Sequence, residues 1–168
     1  MTSLAVAGLL TLTLSSAGGS AALAEPSPAH NPALAECSDP LVPLLYANTG
    51  WRKRDLRIGW AIAMRESGGD EALLSGDDHG LYQLNSLGWA DSGYWPADPF
   101  NGAENAAAAY AIWVDYGWIP WGHNPDGSTA ADHYPNWTKK QISQWITKPF
   151  RKHYKEFPVE CRAWLKQN

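Results

Sequence analysis

Cys37 and Cys161 are the only two cysteines in this chain, and they stand near the two ends of what remains once the first 24 residues are set aside. Those 24 residues carry no charged side chain, run apolar from Leu4 to Leu14, and close on Ala22-Leu23-Ala24, a pattern that a signal peptidase cuts. Ser15 to Ser20 interrupts the run before it reaches the ~20 apolar residues of a membrane span. The segment 1–24 is therefore expected to be a secretory signal peptide, with no stable membrane insertion. In an oxidising compartment two lone cysteines are expected to pair. The bridge would staple the ends of the fold together, and in the chain-entropy model so long a loop is worth at most about 5 kcal/mol. The remaining 144 residues (168 − 24) suffice for one domain with a real core and are too few for two. One module over 37–168 must carry the function, after a Pro-rich lead-in over 25–36 that is expected to be disordered.

Charge is unevenly spread. From Glu66 to Asp132 there are eleven acidic residues and no Lys or Arg, whereas Lys139 to Lys166 holds eight basic residues against two acidic ones. The basic C-terminal segment reads as a solvated helical face, or as a surface that rests on an anionic polymer. Nucleic acid is an unsuitable partner, because the acidic centre repels phosphate and no recognition motif is present.

The pattern of apolar residues predicts a mainly α protein with a small β element, of the α+β class. Leu41 to Ala47 reads as a short helix. Asp55 would cap or open a second helix running to about Ser67, with Leu56, Trp60 and Ala63 on one face and Gly68-Gly69 as its stop. Asp70 to His79 is turn-prone, and Gly80 to Leu84 alternates as a short strand or tight hairpin does. Asp98-Pro99 supplies an N-cap and a proline at the first helical position. Phe100, Ala103, Ala107, Tyr110, Ala111 and Val114 then recur at helical spacing up to Gly117. Trp118 to Trp137 is a loop, and Thr138 to about His153 is helical with an interruption at Pro149.

Glu66 ends the alanine-rich run Ile58 to Ser67. A carboxyl group that protonates a glycosidic oxygen near neutral pH needs surroundings that keep the proton on it. Helix C-terminal carbonyls and the apolar Trp60, Ile62 and Met64 are surroundings of that kind, with the adjacent Arg65 opposing them. Taken alone, a Glu on a helix is an ordinary solvated charge. Its context changes the reading: Glu66-Ser67-Gly68-Gly69-Asp70 is followed by Asp78-His79-Gly80-Leu81-Tyr82-Gln83-Leu84-Asn85, then by Asn105 to Trp113 and Gly117-Trp118-Ile119-Pro120-Trp121. This series, over about Leu56 to Gly122, resembles the lysozyme-like superfamily, in particular the lytic transglycosylase and muramidase domains of the soluble-lytic-transglycosylase type.

The resemblance implies a lysozyme-like fold with a small β-hairpin beside the catalytic helix, and Glu66 as general acid. Gln83 and Asn85 would line the cleft, and Tyr110 would contact substrate from a second cleft-side helix. Two readings of Asp78 stand open. It occupies the place where animal-type lysozymes carry a second carboxylate, and it also sits in a glycine-flanked turn where Asp is favoured for its own backbone hydrogen bonding. With a second carboxylate, water attacks; with Glu66 alone, the 6-hydroxyl of the sugar closes a 1,6-anhydro product. Gln83 and Asn85, two apart on a strand, would face one side, and Tyr82 the core. Of the ten tryptophans, Trp60, Trp113 and Trp145 are expected to pack inside, while the loop residues Trp89, Trp95, Trp118 and Trp121 are candidate sugar platforms, Trp89 and Trp118 first.

His79, His123, His133 and His153 show no metal-ligand spacing, so no metal or other cofactor is expected. The implied protein is a secreted, wall-associated monomer that cleaves the β-1,4 link between N-acetylmuramic acid and N-acetylglucosamine in peptidoglycan. Anionic wall polymers would be a further partner of the basic segment. The alternatives are a non-catalytic wall-binding module and a chitinase-like glycosidase.

Overall fold

The computed structural model describes residues 37–122 and 136–167. The expected signal peptide, the lead-in, and the loop residues 123–135 with His123 and His133 lie outside the described residues.

Helix α1 (Leu41–Asn48) leads into α2 (Lys53–Glu66), the helix that ends on Glu66. Leu56 and every residue from Ile58 to Ala63 are buried, so α2 is covered on nearly all sides rather than on the single expected face. The middle of α2, apolar all round from Ile58 to Ala63, belongs inside a fold, and α2 indeed packs against α1 and two C-terminal helices, α6 (Lys148–Glu156) and α7 (Val159–Gln167). Asp55 lies in its first turn and is not its cap; Arg52 holds that position without a side-chain bond.

The β element is a three-stranded antiparallel sheet of β1 (Leu74–Ser75), β2 (Asp78–His79) and β3 (Leu84–Asn85). Ser75 faces Asp78, and Asp78 faces Asn85. Gly76 opens the two-residue β1–β2 turn at φ 62, a conformation that favours glycine. The sheet corrects the expected strand over Gly80–Leu84: residues 80–83 form a turn, and Gln83 has φ 48. The cause is Asn105, fully buried on a later helix. Its side chain accepts the Tyr82 N–H at 2.9 Å and donates to the His79 and Pro99 carbonyls at 3.1 and 2.9 Å, engaging backbone groups that a strand would have paired.

A short α3 (Ser86–Trp89) is capped by Asn85, whose side chain accepts the Gly88 N–H at 3.2 Å. The next helix, α4 (Gly102–Tyr116), begins later than Asp98-Pro99 predicts. Asn101 is its cap, accepting the Ala103 and Glu104 amides, while Asp98 closes a separate turn onto the Phe100 N–H. Its core face is Gly102, Asn105, Ala106, Ala109 and Ile112, and the expected face is incorrect: Phe100, Ala107 and Val114 are exposed. Ala106 to Ala109 offers the same side chain in every direction, so spacing alone could not orient the helix. Gly117, at φ 60, ends α4 as expected.

After a 3₁₀ turn (Ile119–Trp121), α5 (Lys139–Ile142) starts on a Thr138–Gln141 capping box and continues through a π turn (Ser143–Thr147) into α6. Pro149 therefore does not interrupt the rod. The π turn, closed by the Lys148 N–H on the Ser143 carbonyl, widens the spiral just before the proline and relieves the clash a regular helix would meet. Trp145, expected inside, is 59% exposed on that turn.

Trp51 is the centre of the core, with the rings of Tyr82, Tyr110, Trp113 and Trp118 at 4.9–6.1 Å. Trp60 sits edge-on to Phe157. Cys37 and Cys161 are bonded, with Cα atoms 4.8 Å apart, and Ser38 Oγ donates to Glu160 at 2.7 Å beside the bridge. The fold is α+β and mainly α.

Candidate active site

Where α2 ends, the sheet and the 3₁₀ turn leave a cavity of about 330 Å³. Glu66 enters it from the last turn of α2, Asp78 from β2, Asn85 from β3 and Gln83 from the turn between those strands. Leu84, Trp89, Pro120 and Trp121 supply the apolar wall. The expected wall of Trp60, Ile62 and Met64 is not the one observed, because Trp60 and Ile62 point into the core on other faces of α2. Ser67 locks the two halves of the site together: its hydroxyl reaches the carbonyls of Ala63 in α2 and Leu81 in the turn, at 3.1 and 2.9 Å.

Glu66 is not alone on its helix end. Arg65 meets it, despite the angle between adjacent helix positions, by folding back so that Nε and Nη2 both engage Glu66 Oε1. Nη2 also donates to the Trp121 carbonyl at 2.7 Å, which anchors the guanidinium to the opposite wall. The Arg65 side chain is only 4% exposed, against 25% for Glu66. Oε1 is therefore occupied, while Oε2 has no hydrogen bond among the described residues.

Asp78 and Asn85 are directly opposed across β2 and β3, and Asn85 Nδ2 donates to Asp78 Oδ1 at 2.8 Å. Asn85 thus orients the second carboxylate of the cavity. Gln83 shares the cavity but spends its amide on the Leu73 and Gly80 carbonyls at 3.1 and 2.8 Å, leaving its oxygen as the free polar atom. Trp121 is a fixed part of the wall, with Nε1 donating to the Tyr82 carbonyl at 3.1 Å.

Trp89 lines the cavity and meets Tyr94 and Tyr116 edge-on at 5.7 and 5.8 Å, a group of three aromatic side chains at the rim. Tyr94 bonds Asp115, and that bond pushes its phenol up to about 12. Trp118 is a correction: it is fully buried against Trp51 and opens on no cavity. Tyr110, half-buried, stacks on Trp113 at 5.6 Å with its phenol beside Gly50, and it is not among the residues that line this cavity. Trp95 meets His79 edge-on outside the cavity wall. Tyr82 is buried as expected, and burial raises its phenol well above its ordinary range. Sequence reasoning overlooked Leu84 and Pro120 as wall residues and Asn105 as the organiser of the turn. The signal for Asn105 was a lone amide within an alanine run.

Residues 45–123 match the family described as lysozyme like domain. This segment is a lysozyme-like domain. No curated protein and no solved structure matches the chain. The lysozyme-like domain contains every wall residue of the cavity, from Glu66 to Trp121, whereas α5 to α7 and Cys161 lie beyond the matched segment. Membership points to peptidoglycan-related glycosidase or lytic transglycosylase chemistry. Among the described residues no helix is long and apolar enough to cross a membrane.

Proposed function

We propose that the protein cleaves the β-1,4 link between N-acetylmuramic acid and N-acetylglucosamine in peptidoglycan, outside the cell that makes it, with Glu66 as the general acid. The observation that carries this reading is the position of Glu66 in the cavity wall, with Arg65 holding one of its two carboxyl oxygens. Proton transfer from Glu66 to the glycosidic oxygen leaves a carboxylate whose charge the Arg65 guanidinium faces. Trp89 and Trp121 offer ring surface to the pyranose C–H face, and the Gln83 oxygen accepts from a hydroxyl or N-acetyl N–H.

The attacking group follows from what Asp78 does. Its presence in the same cavity, oriented by Asn85, favours a second carboxylate that faces the oxocarbenium-like sugar, with water as the attacker. Without that role, Glu66 takes the proton of the sugar 6-hydroxyl, and a 1,6-anhydro ring closes. Digestion of purified peptidoglycan followed by product mass measures the difference, since the anhydro product is lighter by one water. Glu66→Gln is expected to remove activity in either case, by about 10²-fold or more. Asp78→Asn is expected to be as damaging only in the hydrolytic case. Wild-type cleavage by Glu66→Gln on a wall-impregnated gel would sink the proposal, and retention on insoluble glycan without a cleared band would identify a binding module.

A further inference from the structure

A second concave site lies at the other end of α2. Lys53, Arg54, Arg57, Arg162 and Lys166 surround the ring of Tyr154 in an open groove of about 470 Å³. Lys53 and Glu66 are the two ends of the 14-residue α2, which puts the groove roughly 20 Å from the cleft. Among the described residues, no carboxylate pairs with any of the five cations. Asp55, on the same helix, bridges to none of them. Glu160, on the helix of Arg162, hydrogen-bonds Ser38 Oγ, and its own backbone N–H and that hydroxyl hold its carboxyl below the usual range, with a smaller contribution from the charge of Arg162, to which it makes no salt bridge.

The two guanidiniums beside the ring are already in place. Arg57 lies over Tyr154 at 3.9 Å and donates Nε and Nη2 to the Tyr154 carbonyl. Arg162 donates Nε to the Phe157 carbonyl and Nη2 to the Lys155 carbonyl. These carbonyls end α6, and Lys166 stands in the last turn of α7, both places where cations are favoured, so three of the five have a reason within the fold. Lys53 and Arg54 have none. They stand in the first turn of α2, where the helix dipole opposes positive charge, and Lys53 has φ 47, a left-handed conformation that costs a side-chain-bearing residue roughly 1–2 kcal/mol. Unpaired cations placed at a cost around a preset pair of guanidiniums form a site for an anion.

We propose that this groove binds a phosphodiester polymer of the cell wall, lying across the Tyr154 ring with its phosphates on the guanidiniums and lysines. Arg57 and Arg162 each keep an Nη1 outside the carbonyl bonds for phosphate oxygens. The apolar floor of Tyr154 and Leu165 suits the carbon links between phosphates better than it suits a free ion. The choice of a wall polymer among polyanions rests on the proposed function; the site itself does not.

The test uses a labelled glycerol phosphate oligomer in fluorescence anisotropy, with a single-stranded oligonucleotide of equal charge and phosphatidylglycerol vesicles in parallel. The Arg54→Glu/Lys166→Glu variant, both residues exposed, is expected to bind the oligomer at least tenfold more weakly than wild type, with a shallower salt dependence. Cleavage of wall glycan stripped of phosphate polymer should be unchanged in that variant, while cleavage of polymer-bearing wall falls. Equal binding by the variant overturns the proposal, as does tighter wild-type binding to oligonucleotide or vesicles than to the oligomer. Groove-dependent binding by a wild type that cleaves no glycan would leave the groove standing and overturn the glycosidase reading alone.

Discussion

Asn105 does the most with the fewest atoms. Buried without exposure, it uses one oxygen and one amide nitrogen to fix Tyr82, His79 and Pro99, and so sets the turn that delivers Gln83 to the cavity. Asn105→Ala would take this partner from the buried Tyr82 N–H and from the part-buried His79 and Pro99 carbonyls, at about 1–3 kcal/mol each where water cannot replace it. A loss of about 3 kcal/mol is expected in urea unfolding. Asn105→Asp should be at least as damaging, because a second oxygen would face the two carbonyls that now accept from Nδ2. A stability equal to wild type in both variants would show that the turn holds by other means. At this scale Glu66 was legible, because a charged residue ending an apolar helix before two glycines has a recognisable context. Its contact with Arg65 was not, since adjacent helix positions diverge and only the Trp121 carbonyl gives the guanidinium a reason to fold back.

Helix α2 joins the two halves of the molecule's chemistry, and its interior glycine shows why propensity cannot be read in isolation. Gly59 lies mid-helix, where alanine would be favoured by about 1 kcal/mol in a solvated segment. A Cβ at this position would come within 2.8 and 2.9 Å of the Trp51 ring and 3.2 Å of the Tyr82 hydroxyl. Overpacking of that kind costs about 1–3 kcal/mol, so Gly59→Ala is expected to lower the melting temperature despite the better helix former. A higher melting temperature would mean that the Trp51 ring yields. Most elements were legible at this scale: α1, α2 and the Gly117 stop follow from apolar spacing and glycine placement. The rotation of α4, the passage of α6 through Pro149 and the turn at 80–83 were not. Each is decided by a partner distant in sequence or by a local widening that leaves no compositional trace.

The whole molecule is longer than its recognised domain. The matched segment ends at residue 123, yet α6 and α7 pack on α2, and the bond between Cys37 and Cys161 spans 124 residues. Replacing both cysteines by alanine is expected to cost about 2–5 kcal/mol in urea unfolding, while leaving glycan cleavage intact under conditions where the protein stays folded. Unchanged stability would show that the C-terminal helices hold the closure unaided. The same bond has a consequence for survival among proteases. A single backbone cut at any position between the two cysteines opens the chain without dividing it: the fragments stay one molecule, held at the bridge and along the faces of α2, and separate only when a reductant reaches the sulfurs.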